Sequence, residues 1–181
     1  MAINRKKRFF IIVATLVSLG VAAWFTKTHN KKTSTEIILP SPPKDTLALP
    51  DSTCYLSDST HVFLIGSTRI TPVKKREIQI DGTAFLEVPK APQPLIIKTK
   101  LLTLSIEDKA AFLVMAPASE EWAELQILEG TIIAKKAYPS QFDAPDTLRG
   151  NQMLMLNRTI DLMEKEKLDA TDLKAWRARL P

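Results

Sequence analysis

The fold is decided by residues 76–99, which read R-E-I-Q-I-D-G-T-A-F-L-E-V-P-K-A-P-Q-P-L-I-I-K-T. Apolar and polar side chains alternate there as in a pair of β-strands, Glu77–Ile80 and Ala84–Val88. Asp81-Gly82 lies between them. Because glycine tolerates a positive φ, this dipeptide predicts a tight hairpin turn or, alternatively, a β-bulge. The stretch contains no His, Cys or Ser, so it predicts structure rather than chemistry.

Short runs rich in Val, Ile, Leu and Thr continue on both sides of this stretch, as is typical of β-strands. Turn residues separate them at Asp81-Gly82, Pro89–Pro94, Pro117–Glu120 and Glu129-Gly130. Glu129-Gly130 repeats the acidic-glycine pattern of Asp81-Gly82 and likewise predicts a tight hairpin turn or, alternatively, a β-bulge. No helical pattern lies between the runs, so residues 47–160 are predicted to form an all-β domain of jelly-roll or sandwich type. The candidate strands are Val62–Ile65, Glu77–Ile80, Ala84–Val88, Leu95–Ile106, Phe112–Met115, Leu125–Leu128 and Thr131–Ala134.

The tail, residues 161–181, changes character. Leu173, Trp176 and Leu180 follow one another at helical spacing, and Thr171 can cap the start of a helix. We therefore expect a short C-terminal helix that packs Trp176 on the β domain. A helix that binds a partner is the alternative.

The N-terminus predicts export. Residues 9–25 carry no charge and suit one transmembrane helix, and the basic residues Arg5–Arg8 predict that residues 1–8 stay in the cytoplasm. Residues 26–46 contain three prolines and many polar residues and are predicted to be a linker. A cleaved signal peptide ending near Val21–Ala23 is the alternative. Either way the bulk of the chain is expected in the periplasm, and the anchor predicts a single-pass protein of the bacterial inner membrane.

The charge distribution argues against nucleic-acid binding. The chain has 25 Lys and Arg, 20 Asp and Glu, and a net charge of +5. Seven of the basic residues and none of the acidic ones lie in residues 1–32, so the remainder is nearly neutral. A nucleic-acid-binding domain would need a clustered basic face of its own.

Histidine and cysteine provide no recognisable site. His29 lies in the predicted linker without metal ligands at a suitable spacing. His61 follows the turn-like run S-D-S-T, so we expect it in a solvated loop rather than in a site. Cys54 is the only cysteine, so it cannot form a disulfide within the chain. We expect it to be a small buried residue, although in an exported protein it could pair with another chain.

Carboxylates and known motifs do not supply a catalytic site either. Glu120, Glu121 and Glu124 cluster around Trp122, in what reads as an exposed loop after Pro117. The sequence has no G-x-S-x-G, no glycine-rich phosphate loop and no H-E-x-x-H motif. The prediction is a protein that is not an enzyme and needs neither cofactor nor metal.

The opening stretch resembles the central signature of the FecR family of bacterial sigma-factor regulators. The extracytoplasmic domain of that family carries a pattern like R-x-V-x-L-x-G-E-A-F-F-E-V-x-K-x-x-x-x-P-F-x-V-x-T. Smaller similarities occur at Leu49–Thr53, at Phe112 and Val114, at Leu128–Ile132 and at Leu148–Gln152, so the resemblance covers about residues 47–178. In this sequence the residues that carry it, and to which it assigns a structural role, are Arg76, Gly82, Ala84, Phe85, Glu87, Val88, Lys90, Pro94, Gly130, Gly150 and Trp176, together with Ile78, Ile80, Ile97 and Thr99.

The sequence departs from the family pattern at several places. Thr83 replaces a Glu, Ser52 a Gly, Lys109-Ala110 a Gly-Thr and Arg149 a Pro. Family members usually carry a cytoplasmic domain that holds the sigma factor, whereas only eight residues precede the apolar segment here. The resemblance therefore implies the fold and the compartment, and it does not by itself imply anti-sigma activity.

The resemblance implies a non-enzymatic, membrane-anchored periplasmic protein of cell-surface signalling. Its expected partner is a protein, either a periplasmic signalling domain or another membrane protein, and the partner-binding residues are not indicated. The alternative is a periplasmic scaffold or lipid-transport bridge of LptC-like architecture, without a transcriptional role. That alternative predicts a continuous apolar groove able to hold acyl chains.

Overall fold

The structure is a computed structural model that describes residues 50–180. The predicted cytoplasmic stub, transmembrane helix and linker lie outside the described residues. Between residues 50 and 180, no helix is both long enough and apolar enough to cross a membrane.

The described residues form eleven strands and one helix. The strands make a single mixed sheet in the order β11-β10-β7-β6-β3-β4-β5-β8-β9, with β2 on the other edge of β3 and β1 on β2. All neighbours are antiparallel except β3 and β4. The elements are β1 (Ser52–Tyr55), β2 (His61–Lys74), β3 (Glu77–Val88), β4 (Leu95–Lys98), β5 (Leu102–Ile106), β6 (Ala110–Ala116), β7 (Trp122–Glu129), β8 (Thr131–Lys136), β9 (Asp146–Arg149), β10 (Gln152–Asn157), β11 (Leu162–Lys167) and α1 (Thr171–Arg177).

Strand β3 runs through Asp81-Gly82 without turning, so the predicted hairpin turn there is wrong. Its first part pairs with β4 and its second part, from Gly82 onward, pairs with β6 on the same edge. Strand β2 follows the other edge of both parts. The two predicted strands are thus one long strand, which pairs with β4 through its first part and with β6 through its second.

The predicted alternative, a β-bulge, is closer to what is observed. The register between β2 and β3 shifts between Ile65 and Arg69. Opposite this shift Gly82 has φ +121°, and a Cβ atom at Gly82 would lie 2.5 Å from Thr68 Oγ1. The Thr68 hydroxyl accepts a hydrogen bond from the Thr83 amide at 2.7 Å. Glycine is therefore required, because the Thr68 side chain occupies the space that a larger residue would fill.

The sheet curls around one core, to which β2 through β10 contribute inward-facing side chains. Such packing needs strict alternation along the strands, and β3 and β6 show it clearly. The all-β prediction is confirmed, but the two ends form one nearly closed sheet rather than the separate sheets of a sandwich. The core includes Val62, Ile80, Ala84, Leu86, Val88, Leu95, Ile97, Leu104, Phe112, Val114, Leu125, Ile127, Ile132, Leu148 and Leu154.

The predicted tight hairpin at Glu129-Gly130 is also wrong. Strands β7 and β8 flank Gly130 but do not pair, since β8 pairs with β5 and β9. Gly130 has φ +89°, and a Cβ atom there would lie 2.8 Å from the Cα of Ala110. The Gly150 amide donates to the Gly130 carbonyl at 3.1 Å. At these two glycines the chain passes from one end of the sheet to the other.

The predicted C-terminal helix is present as α1, and it packs on the outer face of the sheet. Leu173 and Trp176 are buried there, in a second cluster with Phe63, Phe85 and Leu113. The rings of Trp176 and Phe85 meet edge to face at 5.4 Å. The expected packing of Trp176 on the β domain is confirmed.

The start of α1 differs from the prediction. Ala170 is the N-cap residue and makes no side-chain capping bond, while Thr171 is already helical. Asp169 Oδ1 instead accepts hydrogen bonds from the amide and the hydroxyl of Thr171, at 3.1 and 2.7 Å. The sheet continues beyond residue 160, since β11 lies in the segment assigned to the tail.

Candidate protein-binding surface

His61 packs between aromatic rings rather than lying in a solvated loop, so that prediction is wrong. It is the first residue of β2, half-buried, with the Tyr55 ring stacked at 4.2 Å and the Phe63 ring at 3.9 Å. Phe63 in turn lies 6.1 Å from Phe85, which contacts Trp176. His61 thus belongs to a row of rings that leads to α1.

The acidic cluster around Trp122 is divided between two environments. Glu121 is exposed, and a hydrogen bond from Lys100 at 2.6 Å lowers its pKa. Glu124 lies in β7 and is only 2% exposed, so the predicted exposed loop is wrong for this residue. Burial raises the pKa of Glu124, against a hydrogen bond from Gln126 at 2.5 Å. The described part of the chain contains no group of His, Cys, Asp and Glu that could hold a metal ion.

A buried polar network surrounds Lys136, whose side chain is 1% exposed. Its Nζ donates to Asp161 Oδ1 at 2.7 Å and to Ser140 Oγ at 2.9 Å. Ser140 Oγ donates in turn to Asp161 Oδ2 at 2.7 Å. A lysine acting as base would have to accept the serine proton. Here that proton points to the carboxylate, so the arrangement is structural.

The network also includes Tyr138, whose hydroxyl donates to Asp161 Oδ1 at 3.2 Å. Burial, together with the hydrogen bond to Asp161 and its charge, raises the pKa of Tyr138 to about 12. Hydrogen bonds from Lys136 and Ser140 lower the pKa of Asp161. These contacts join the loop after β8 to the turn between β10 and β11, so they fix two surface segments that are distant in sequence.

Above this network lies a depression of about 720 Å³, lined by Tyr138, Pro139, Ser140, Gln141, Phe142, Arg158 and Asp161. Phe142 is 74% exposed at its rim, and Ile160, in the same turn as Arg158, is 46% exposed. The Arg158 guanidinium lies over the Tyr138 ring, 5.3 Å from its centroid. Exposed aromatic and arginine side chains are the usual anchors of protein interfaces. We call this depression and its rim the Phe142 surface.

No residue of the Phe142 surface was predicted from the sequence. The available signal was the run Y-P-S-Q-F-D at residues 138–143, which places two aromatic residues in a turn-like segment. The partners Arg158 and Asp161 could not be inferred, because only the folded chain brings them next to this loop.

Several signature residues attach α1 and close the core. Ala84 and Val88 face the core, whereas Phe85 and Glu87 face outward under α1. Glu87 Oε1 accepts a hydrogen bond from Arg177 Nε at 2.7 Å. Together with Trp176 these residues join the helix to β3.

The other signature residues lie at turns and at the surface. Arg76, in the turn before β3, has φ +57° and forms an ion pair with Asp58 in which both side chains are about nine-tenths buried. Lys90 and Asp108 form an exposed ion pair at 3.2 Å. Pro94 is exposed immediately before β4, and the roles of Gly82, Gly130 and Gly150 are described above.

No protein-family model and no curated protein matches this chain. Two crystal structures of a "putative anti-sigma factor" from Parabacteroides distasonis, at 1.65 and 2.50 Å resolution, share its fold with a TM-score of 0.61 each. Sequence identity is 20% and 21%, and the similarity covers 73% of this chain. This chain spans only 63% and 62% of those chains. At such identity the similarity establishes the fold.

Proposed function

We propose that this chain is a non-enzymatic, membrane-anchored FecR-like protein that binds a protein partner outside the inner membrane and takes part in sigma-factor regulation. The observation that carries the proposal is the fold shared with the two crystal structures named as an anti-sigma factor. The FecR-like signature supports it, since its residues form the frame of that fold. Residues 9–25 would be the anchor, oriented by Arg5–Arg8.

The Phe142 surface is the proposed contact for the partner. It offers the exposed Phe142 side chain for burial, together with the Tyr138 ring and the Arg158 guanidinium, and the exposed Ile160 follows in the same turn as Arg158. Hydrogen bonds to Asp161 hold Tyr138 and Ser140, and the Phe142 amide donates to Ser140 Oγ at 3.0 Å. These bonds order the loop before binding, so less conformational entropy is lost when a partner binds.

The described structure does not favour the LptC-like alternative. A lipid-binding groove needs unfilled apolar space between the two ends of the sheet. In the described chain the inward side chains of the middle strands, such as Ile80, Leu86 and Phe112, are at most 1% exposed and pack on one another.

The test is affinity capture of the full-length chain after crosslinking in intact bacterial cells of the native host. We expect recovery of a sigma-regulatory membrane protein or of the signalling domain of an outer-membrane receptor. Phe142→Ala should reduce recovery about tenfold or more, as truncation of an interface hot spot costs about 2 kcal/mol or more. Val73→Ala, at a 45% exposed position on distal β2, is the matched control and should change nothing.

Two outcomes contradict the proposal at different levels. Recovery of neither class of partner would overturn the regulatory function. Recovery that is equal for Phe142→Ala and Val73→Ala would leave the function in place but remove the Phe142 surface as the contact.

A further inference from the structure

The outer edge of β1 is open. Among the described strands β1 pairs only with β2, in a register that sets Cys54 opposite Val62. The Leu56 amide donates to the Thr60 carbonyl at 2.9 Å. Because backbone groups alternate along an antiparallel strand, the N–H and C=O groups of Cys54 also face β2. Those of Thr53 and Tyr55 therefore face away from β2, and no strand within residues 50–180 pairs with them.

The opposite edge of the sheet is protected against pairing with itself. Strand β11 exposes Glu164, Lys165, Glu166 and Lys167 in alternation. When two copies of one strand pair about a two-fold axis, a residue whose backbone groups face the partner strand lies opposite another such residue. Because these residues alternate along the strand, even-numbered residues lie opposite even-numbered residues, and odd-numbered residues opposite odd-numbered ones. In every such register, a charged residue of β11 that meets a charged residue of the second β11 meets its own kind, Glu against Glu and Lys against Lys. Like charges directly opposite one another are destabilising.

The remaining edges are blocked in other ways. Beyond the bulge, the even-numbered residues of β2 face outward, and one of them is Pro72, which has no N–H to donate. On β9, Lys165 reaches across to Asp146 Oδ1 at 2.6 Å and to the Thr147 carbonyl at 3.4 Å. Of the outer edges in the described sheet, β1 is left uncharged and uncovered.

From this geometry we infer that two copies of this chain pair through the outer edges of β1. The strand reads S-T-C-Y, so no like charges meet. One register uses every free backbone group of Thr53 and Tyr55 in both copies: Thr53 of each copy opposes Tyr55 of the other. Tyr55, which is 70% exposed in the single chain, then packs against the second copy.

This register places the two Cys54 residues directly opposite one another. They form a pair without hydrogen bonds between them, in which the Cα atoms lie about 4.5 Å apart. That distance is within the range that a disulfide can span. Since Cys54 is the only cysteine, a disulfide between two copies of the native chain can form only between the two Cys54 residues, and its formation reports this register. The inference is independent of the proposed function and concerns the assembly of the chain alone.

The first test uses the full-length chain in detergent micelles with copper phenanthroline as the added oxidant. We expect a disulfide-linked dimer that reductant dissolves and that Cys54→Ser abolishes. The control is Cys54→Ser combined with Ser119→Cys, which moves the thiol to an exposed turn between β6 and β7 and should give no dimer. Absence of the Cys54 crosslink, or equal crosslinking at position 119, overturns the inference.

The second test replaces the opposed pair by charges and measures dimerisation by analytical ultracentrifugation. Thr53→Lys with Tyr55→Lys sets like charges opposite one another twice, and should weaken dimerisation about tenfold. Thr53→Lys with Tyr55→Glu sets opposite charges together in this register, and should retain the dimer with greater sensitivity to salt. Equal behaviour of the two variants, or a monomer at every concentration, overturns the inference. A monomer is also the result expected if residues before position 50, or another protein, occupy this edge.

Discussion

Removal of the Trp176 side chain should destabilise the domain more than any other change in the C-terminal helix. Trp176 is 1% exposed, and its ring lies edge to face with Phe85 at 5.4 Å. Beneath it lie the outward side chains of β2, β3 and β6, which, within the described part of the chain, α1 and the residues before it cover. The change Trp176→Ala would leave a cavity over these side chains or release the helix from them.

The magnitude follows from the buried area. A tryptophan buries about 150–250 Å², which at about 25 cal/mol per Å² corresponds to roughly 4–6 kcal/mol as an upper bound. Substitutions of buried tryptophan by alanine cost about 3–5 kcal/mol. About 0.5–1.5 kcal/mol of that loss belongs to the contact between the Trp176 and Phe85 rings. For a domain whose total stability is about 5–15 kcal/mol, this is a large fraction.

The assay is urea unfolding of the full-length chain, followed by circular dichroism of the β-sheet. Lys174→Ala is the matched control, since Lys174 is exposed on the same helix and should change the unfolding free energy by less than about 0.5 kcal/mol. If Trp176→Ala costs less than about 1 kcal/mol, the second cluster does not contribute to the stability of the sheet. Phe85 and Glu87 would then not attach the helix to the sheet to a measurable extent.

Three further substitutions test Gly82 in β3, the buried carboxyl group of Glu124 and the polar network around Asp161. Gly82→Ala should destabilise the domain by about 2–4 kcal/mol, because it adds backbone strain to a clash with Thr68. Gly66→Ala is the control, since φ is +64° there and the added Cβ meets nothing within 4 Å. It should cost only about 1–2 kcal/mol in the same unfolding assay. Burial raises the pKa of Glu124 above its ordinary 4.5, so its ionisation costs stability as pH rises through the folded-state value. Glu124→Gln should therefore raise Tm at pH 7, and this gain should shrink as the pH falls below that value. The pKa of Asp161 lies below its ordinary 3.8, so its stabilising contribution is present above that pH and is lost on further acidification. Asp161→Asn should lower Tm at pH 7 and make Tm less dependent on pH below 3.8.

Local sequence pattern predicted strand in most of β2 to β8 and missed β1, β9, β10 and β11, although Leu148 of β9 and Leu154 of β10 face the core. Strands β3, β5, β6, β7 and β8 alternate or are strongly apolar, because one or both of their faces are buried. Strands β1 and β11 lie at edges, and their residues are mostly polar. In such strands tertiary pairing, rather than side-chain burial, decides the conformation.

The two wrong turn predictions share one physical cause. Asp81-Gly82 and Glu129-Gly130 both have the local chemistry of a hairpin, since glycine there allows a positive φ. In the fold, each glycine instead allows a close approach of distant backbone or side chain, from Thr68 in one case and Ala110 in the other. The glycine in each dipeptide correctly indicates a special backbone position. The residue that approaches it lies many positions away in the sequence and therefore leaves no local signal.

The same non-local relation explains why the Phe142 surface could not be predicted. Its floor depends on Asp161, which lies 25 residues from Lys136 and 21 from Ser140. Each side chain alone reads as a solvated loop residue. Only the pairing of β10 with β11 brings the turn of residues 158–161 beneath the loop after β8.

The signature stretch itself is a poor place to expect the partner. Its inward side chains, Ala84 and Val88, fill the core. Its central glycine, Gly82, lies against Thr68 of β2. Its outward side chains, Phe85 and Glu87, lie under α1 and contact Trp176 and Arg177. Strand β2 covers one edge of β3, and β4 and β6 cover the other, so both edges are paired and the outward face of the second half lies under α1. The proposed partner binding would therefore use segments outside this frame, as loops on a rigid scaffold commonly do. The loop after β8 and the outer edge of β1 both satisfy that condition.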